Sequence, residues 1–361
     1  MLGTIDTSAL SAFAYHGGAL DVAACAFPDA PKPWIDLSTG INPEAYPFPP
    51  LESGAFARLP EEGALAALEA IAARRYGAGN GSVVAAAGGH ALIGALATLR
   101  PSATVGVLGP TYAGHARGWA AFGARVAAVT RFEDLADFDR AVVVNPNNPD
   151  GRVLPRAALR DLAAAMRPGA LLIVDEAFAD FDPEQSLVGE AGAAGLVVMR
   201  SFGKAYGLAG VRLSFAAAAP EMIDALRRAL GPWPVSGPAI AIGATALGDD
   251  AWFAAAKGRA KARAERLDAI LSAAGWSIIG GTRLFRLASH PQADAAFVRL
   301  ARAGILTRRF AEAPDQLRFG PPGGRAEEAR LAAALIPNPD DRNRSLGSAS
   351  ANARPRRCAE C

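Results

Sequence analysis

Short runs of apolar residues alternate with alanine-rich segments over the first two thirds of the chain. Each run is continuous rather than alternating, which is typical of strands buried on both faces of a sheet. Strands separated by helices indicate an α/β fold, with a large, mostly parallel sheet covered by helices on both faces. The predicted strand segments are SVVAAA, TVGVLGP, RVAAVT, AVVVNPNNPDG, LLIVDEAF and LVVMRSFGKAYG, of which the fourth and the last run on into turn sequences.

The organisation changes at the proline-rich segment GPWPVSGP. A long, basic, amphipathic helix and four short predicted strands follow it, which indicates a smaller C-terminal α/β domain. The last segment is rich in Ser, Asn, Arg and Pro and is predicted to be disordered. We therefore divide the chain into an N-terminal arm (1–44), a large domain (45–232), a small domain (233–337) and a tail (338–361).

Composition narrows the class of protein. The formal net charge is only +2, which gives no support for a nucleic-acid or membrane-surface partner. No apolar run reaches the roughly 18 to 20 residues that span a bilayer, and the start lacks the features of a secretory signal. With three cysteines and no disulfide framework, we expect a cytoplasmic protein. Cys358 and Cys361 form a C-x-x-C in the tail without a second ligand pair, so no metal site is predicted.

The strongest chemical signal is Lys204, in the segment RSFGKAYGLAGVR after a predicted buried strand. An amine in such a glycine-rich loop can form a Schiff base with an aldehyde cofactor if its site lowers its pKa. Ser201 and Arg212 flank it and can both bind an anion, since Arg supplies charge-assisted donors for a phosphate. The alternative is an ordinary solvated lysine in a loop.

A second signal is Asp175, which follows four apolar residues in LLIVDEAF. A carboxylate that reaches a strand end with little solvent has to be paired. The nitrogen of a protonated pyridine is one partner, and the pair would keep such a ring cationic and electron-withdrawing. A helix N-cap or a salt bridge to a nearby Arg is the alternative.

Two weaker signals lie at other strand ends. Asn148, in NPNNPDG, can direct its amide at a phenolic oxygen of a cofactor, although the same residues are common in simple turns. Gly88 and Gly89 precede a predicted helix, whose free N–H groups can bind phosphate. His90 follows them and is equally compatible with a structural role. The chain contains no P-loop or dinucleotide-binding fingerprint that would use these positions.

Taken in order, the motifs N-P-N-N-P-x-G, D-E-A-F, S-x-x-K and G-L-A-G-x-R resemble those of the fold-type I pyridoxal-phosphate enzymes, the aspartate aminotransferase class. The resemblance implies a fold-type I PLP-dependent transferase fold and a homodimer. It also implies that Lys204 is the catalytic residue and the attachment point of pyridoxal 5'-phosphate, that Asp175 pairs the ring nitrogen, and that Asn148 binds the ring oxygen. The other cofactor-binding residues that it implies are Gly88, Gly89, His90, Tyr112, Ser201 and Arg212.

Within that class, HGGALDVAA at the N-terminal arm and WIDLSTGINP after it resemble the threonine-phosphate decarboxylase family of cobalamin biosynthesis. The implied reaction converts L-threonine O-3-phosphate to (R)-1-aminopropan-2-yl phosphate and carbon dioxide. The implied partner is thus a small phosphorylated amino acid, with Arg318 on its α-carboxylate and the arm over it. The implied substrate-binding residues are His16, Gly17, Thr39, Gly40, Asn42 and Arg318.

Two alternatives stay open at this point, because the same cofactor residues serve several reactions. One is an aminotransferase of the histidinol-phosphate type, although Leu59 stands where those enzymes tend to carry a tyrosine. The other is a non-catalytic binding protein on the same fold. Two departures from the class are Phe178 for a tyrosine, which removes a hydrogen bond to the ring oxygen, and Gly89 for a serine or threonine.

Overall fold

The computed structural model describes residue 13 and residues 17–79, 81–193 and 195–336. His16, the tail 338–361 and its two cysteines lie outside the described residues. The chain forms two compact units. The large unit comprises residues 41–264 and 280–285, and the small unit comprises the described residues up to 40, 265–279 and those from 286 onward. The four-segment division made from the sequence stays a prediction.

The regular structure of the described residues includes thirteen strands and twelve α-helices, besides short 3-10 helices. The strands are β1 (Ile35–Asp36), β2 (Val83–Ala86), β3 (Thr104–Leu108), β4 (Arg125–Val129), β5 (Arg140–Val144), β6 (Leu171–Asp175), β7 (Leu196–Ser201), β8 (Ser214–Ala218), β9 (Ser277–Thr282), β10 (Phe285–Ser289), β11 (Ile305–Leu306), β12 (Arg308–Arg309) and β13 (Gln316–Phe319). The helices are Leu20–Ala26, Gly54–Ala57, Glu62–Tyr76, Gly89–Thr98, Gly114–Ala121, Arg156–Ala165, Phe202–Ala205, Pro220–Leu230, Gly237–Gly248, Asp250–Ala273, Ala293–Arg302 and Arg325–Leu335.

The large unit contains a seven-stranded sheet in the order β2-β8-β7-β6-β5-β3-β4. Its strands are parallel except β8, which pairs antiparallel with both β2 and β7. The prediction of a mostly parallel α/β sheet is therefore confirmed. The strand β8 was not predicted from the sequence, because its residues, SFAAA, are mostly alanine and carry little β-propensity.

Successive residues of the inner strands point to opposite faces of this sheet. In β6, Leu172 and Val174 belong to one buried apolar cluster, whereas Leu171 and Ile173 belong to a second. The side-chain period of a strand is two, so a continuous apolar run supplies both clusters at once. Helices cover both faces, and the carboxyl ends of β5, β6 and β7 come out at one edge.

The small unit has its own buried core, which includes Phe297, Phe319 and Trp276. In it β1 pairs parallel with β11, and β13 pairs antiparallel with β10 and β12. The short strands predicted after the proline-rich segment are confirmed.

Two local differences from the predicted elements concern helices. Lys204 lies on a four-residue helix, Phe202–Ala205, rather than in an open loop. The helix Gly237–Gly248 was not predicted, since it is apolar nearly all round and shows little periodicity. Its start is capped by Ser236, whose hydroxyl accepts a hydrogen bond from the Ala239 N–H. Among the described residues, no helix has the length and apolar character needed to cross a membrane.

Candidate active site

A cavity opens at the carboxyl ends of β5, β6 and β7, within the large unit. Parallel sheets place ligands at this edge because loops and helix N-termini converge there. Eight of the residues predicted to bind the cofactor line the cavity together, although they come from six separate stretches of sequence. They are Gly89, His90, Tyr112, Asn148, Asp175, Ser201, Lys204 and Arg212.

Lys204 is half-buried and projects into this cavity from the short helix that follows β7. Its Nζ lies 5.5 Å from the centroid of the Phe178 ring. Phe178 in turn packs edge-on against Phe285, with ring centroids 4.9 Å apart. The amine therefore stands beside an aromatic wall formed by these two rings.

Asp175, at the end of β6, pairs with a residue that the sequence did not single out. Its Oδ2 lies 2.8 Å from Nε2 of His115, a fully buried side chain on the helix Gly114–Ala121. Its Oδ1 accepts a hydrogen bond from the Ala177 N–H at 3.0 Å. The carboxylate is thus paired with a histidine and a backbone N–H, and not with either alternative considered from the sequence, a helix N-cap or an arginine.

The surroundings of His115 decide which ring nitrogen carries the proton. Nε2 donates to Asp175, while Nδ1 is buried and has no hydrogen-bond partner among the described residues. A tautomer with its proton on Nδ1 would bury an unsatisfied N–H, which is costly. The tautomer with its proton on Nε2 therefore fits this site, and in that tautomer Nε2 donates to Asp175.

The helix Gly89–Thr98 begins at the cavity, so its free N–H groups can bind an anion there. Gly88 caps it with a φ of +90°, and Arg212 has a left-handed backbone with φ 57° and ψ 57°. A Cβ on Gly88 would lie 2.6 Å from Nη2 of Arg212. A glycine at this position thus leaves room for a guanidinium beside the helix start. Such strained non-glycine backbone is typical of functional sites.

Tyr112 stands at the mouth of the cavity and is bounded by two histidines. Its hydroxyl lies 3.3 Å from Nδ1 of His90, and its ring is edge-on to His115 with centroids 6.0 Å apart. A Cβ on Gly114 would come within 2.3 Å of the Tyr112 ring, so a side chain there would displace it. These contacts hold the ring at a defined position.

At the end of β7, Arg200 lies between two buried carboxylates. Its guanidinium is 3.0 Å from Oε2 of Glu176 and 2.8 Å from Oδ1 of Asp180, and it also donates to the Ser186 hydroxyl. Burial raises the pKa of both carboxyls, and the positive charge of Arg200 partly offsets this. Because Glu176 follows Asp175 and Arg200 precedes Ser201, the ion pair ties together the two strand ends that carry cavity residues.

Four of the predicted substrate-binding residues, Gly17, Thr39, Gly40 and Arg318, belong to the small unit, whereas Asn42 belongs to the large unit. In the small unit Ser38 is the residue that these four lie around. Gly17 packs on the Ser38 carbonyl, and the Gly18 N–H donates to the Ser38 hydroxyl at 2.7 Å. Nη2 of Arg318 donates to the Ser38 carbonyl at 2.7 Å. Thr39 and Gly40 follow directly, and the Thr39 carbonyl lies close against Gly320.

A second arginine, Arg308, stands directly opposite Arg318 on the neighbouring strand. Burial and the charge of Arg308 lower the pKa of Arg318 to about 9, and burial also lowers the pKa of Arg308. Like charges paired across strands destabilise a sheet unless an anion compensates them. The sequence reasoning missed Arg308, since nothing local indicates which arginine of the pair RR faces Arg318.

Comparison with known proteins shows close relatives along nearly the whole chain. Residues 33–336 match the aminotransferase class I and II family. A threonine-phosphate decarboxylase from Pseudomonas aeruginosa is 42% identical over 325 residues, which is 89% of this chain and 97% of that protein. A histidinol-phosphate aminotransferase from Rhizobium meliloti is 32% identical over 213 residues, 56% of this chain and 60% of that protein.

Solved structures agree on the fold. The crystal structure of an L-threonine-O-3-phosphate decarboxylase from Porphyromonas gingivalis superposes with a TM-score of 0.69 at 20% identity, covering 83% of this chain and 98% of that one. The histidinol-phosphate aminotransferase from Clostridium acetobutylicum superposes with a TM-score of 0.73 at 18% identity, covering 83% and 98%. At this level of sequence identity the superpositions show only that the fold is shared.

Proposed function

The chain belongs to the aminotransferase class I and II family, and on that premise we propose that it decarboxylates L-threonine O-3-phosphate with pyridoxal 5'-phosphate as its cofactor. The products are (R)-1-aminopropan-2-yl phosphate and carbon dioxide, in cobalamin biosynthesis. One observation carries this choice of substrate. Identity to a threonine-phosphate decarboxylase extends over 97% of that protein, whereas identity to the aminotransferase from Rhizobium meliloti is lower and covers 60% of it.

The cavity residues fit the cofactor. The Lys204 amine can react with the cofactor aldehyde, and the Asp175 carboxylate can pair with its pyridinium nitrogen. The helix start beside Arg212 can bind its phosphate. The space that a Cβ on Gly88 would fill supports the last assignment. When bound, the cofactor withdraws electrons from the substrate Cα, which allows a bond to that carbon to break. Asn148 is proposed to bind the oxygen on its ring, and Tyr112 to stack on the ring.

The protein's own groups have three tasks in this proposal. The Lys204 amine would hold the cofactor aldehyde until the substrate amine replaces it, and would then donate a proton to the substrate Cα in place of the departing carbon dioxide. Asp175, held by His115, keeps the ring nitrogen protonated. Ser201, His90 and the backbone at Gly88 and Gly89 are proposed to help Arg212 bind the cofactor phosphate.

We further propose that Arg308 and Arg318 recognise the two anionic groups of the substrate. Threonine phosphate carries a carboxylate and a phosphate, and the two guanidiniums present adjacent positive charge on neighbouring strands. An anion bound there would stabilise the buried Arg318 and the half-buried Arg308. Arg318 is proposed, as predicted, to bind the α-carboxylate of the substrate. His16, Gly17, Thr39 and Gly40 stay predicted substrate-binding residues.

The test is release of carbon dioxide from threonine phosphate by the cofactor-loaded protein, without any 2-oxo acid. We expect one aminopropanol phosphate per carbon dioxide released. Lys204→Ala should abolish both the covalent attachment of the cofactor and the release. If the protein instead forms glutamate from histidinol phosphate and 2-oxoglutarate and releases no carbon dioxide, the decarboxylase proposal is wrong and the protein is an aminotransferase. A protein that binds no cofactor would support the non-catalytic reading.

We propose that the protein acts as a cytoplasmic homodimer. Phe56 and Leu59 are 69% and 65% exposed, and they lie at or beside an apolar groove lined by Pro50, Leu51 and Ile240 of the large unit. Exposed apolar side chains around a groove are typical of protein interfaces. Light scattering should give twice the chain mass for the native protein, and Leu59→Glu should shift it toward the monomer. A native protein that elutes as a monomer at all concentrations contradicts the homodimer.

A further inference from the structure

Asn42 is buried, 2% exposed, and both polar atoms of its side chain are bonded inside the large unit. Its Nδ2 donates to the carbonyl of Ala205 at 2.9 Å, and its Oδ1 accepts from the Glu44 N–H at 3.1 Å. Its backbone N–H donates to the carbonyl of Lys204 at 2.9 Å. One residue thus bonds to the backbone of the lysine itself and to that of the residue after it.

The helix that carries Lys204 needs such partners more than most helices do. It has only four residues, so nearly all of its carbonyl groups accept no hydrogen bond within the helix itself. Three consecutive carbonyls, those of residues 204, 205 and 206, accept from the segment 42–46. The third bond comes from the Tyr46 N–H at 2.9 Å. Isolated short helices are unstable in water, so the segment 42–46 stabilises this one.

The segment 42–46 is itself fixed to a longer helix. The Glu44 carboxylate accepts hydrogen bonds from Arg259 and Arg263 at 2.8 Å, both on the helix Asp250–Ala273. These cations lower the pKa of Glu44, whose carboxylate therefore stays charged. At the other side, Gly207 has φ +66° and a Cβ there would lie 2.6 Å from the Asn42 carbonyl. The contact between the segment and the turn after Lys204 is therefore close.

We propose that Asn42 is a positioning residue, which holds the backbone of Lys204 so that its amine meets the cofactor and later the substrate Cα at the required distance. This inference rests on the proposed role of Lys204 as the cofactor-binding residue. It gives Asn42 a role different from the substrate contact that the sequence predicts. A shift of the reacting amine of about 1 Å can cost on the order of a hundredfold in rate, which is why the backbone anchor matters.

The two roles differ in kinetics. Asn42→Ala removes both side-chain bonds, and Asn42→Asp keeps the volume and the acceptor for Glu44 but replaces the donor to Ala205 with an oxygen. For a positioning residue, we expect kcat to fall at least tenfold in both variants, with KM for threonine phosphate within threefold of the native value. The rate constant for covalent attachment of pyridoxal phosphate to Lys204 in the apo-protein should fall as well, since this step involves no substrate.

Tyr46→Phe is the matched control. It removes the hydroxyl that lies 3.2 Å from Asp249 but keeps the backbone bond to residue 206, so kcat and the attachment rate should stay within twofold of native. A KM raised tenfold with an unchanged attachment rate would overturn the proposal and support a substrate contact. If Asn42→Ala does not fold, Asn42→Asp carries the test. If the native protein binds the cofactor but releases no carbon dioxide, only the decarboxylase proposal fails, because the attachment rate still tests Asn42.

Discussion

The guanidinium of Arg212 fills the space that a side chain at Gly88 would need: a Cβ on the glycine would lie 2.6 Å from Nη2 and 3.1 Å from Cζ of the arginine. Both residues also have positive φ, +90° for Gly88 and 57° for Arg212. Alanine at position 88 would be strained by its own backbone and would displace the guanidinium. The two residues are therefore interdependent parts of the proposed phosphate site.

Gly88→Ala is accordingly expected to weaken pyridoxal phosphate binding at least tenfold, as measured by titration of the apo-protein. Gly258→Ala is the control, because Gly258 is exposed within the helix Asp250–Ala273 and a Cβ there meets no atom within 4 Å. That change should leave cofactor binding unaltered and stabilise the protein by about 0.5 to 1 kcal/mol. Native-like affinity in Gly88→Ala would remove Arg212 from the phosphate site.

His115→Phe removes the donor to Asp175 and fills most of the same volume. Hydrogen bonds to charged groups contribute about 1.5 to 3 kcal/mol, so we expect kcat/KM to fall on the order of tenfold to a hundredfold. His115→Gln retains an amide donor and should recover part of the loss. If His115→Phe reacts at the native rate, the His115–Asp175 contact does not support the ring nitrogen.

Arg200→Met leaves Glu176 and Asp180 buried without their shared cation. Breaking a buried ion pair in this way costs about 3 to 5 kcal/mol of unfolding free energy, measurable by urea denaturation. The deficit should shrink in acid, because both carboxyls already have raised pKa values and protonation removes their charge.

Arg283→Met is the comparison for this change. Arg283 pairs with Asp182 at a more exposed place, with side-chain exposures of 23% and 39%. Exposed pairs contribute about 0 to 1 kcal/mol, so the loss should be small. An equal loss in both variants would show that the burial of Arg200 is not what makes its pair important.

Asp139 should govern part of the acid denaturation. Hydrogen bonds from Thr104, chiefly its backbone N–H, together with Arg100 and Arg167, lower the pKa of Asp139 from 3.8 to about 2. A depressed native pKa adds stability above the unfolded value, and this stability is lost as the pH falls from about 4 to 2.

We therefore expect Asp139→Asn to be less stable than the native protein at neutral pH, with the difference closing over that acid range in thermal melts. Asp137→Asn, at an exposed position two residues earlier, should follow the native curve. A stability difference between Asp139→Asn and native that stays constant down to pH 2 would contradict the role of this carboxylate.

Much of the cavity could be predicted from the sequence because its residues stand at strand ends. A buried parallel strand is recognisable as an apolar run, and the polar residue that follows it must face the edge where such strands end. Asp175, Asn148, Ser201 and Lys204 were found in this way, and all four line one cavity. Their roles toward the cofactor stay proposals that the experiments above address.

Only the tertiary structure decided which distant groups complete these positions. His115 meets Asp175 across 60 residues of sequence, and Asn42 meets Ala205 across 163. Arg308 faces Arg318 because a strand register places it there. The sequence around His115 or Asn42 does not indicate which group each side chain bonds to, because the packing of helices and the crossing of distant chain segments determine the partner. The sequence thus determined the fold class and the reactive groups, and packing determined what holds them.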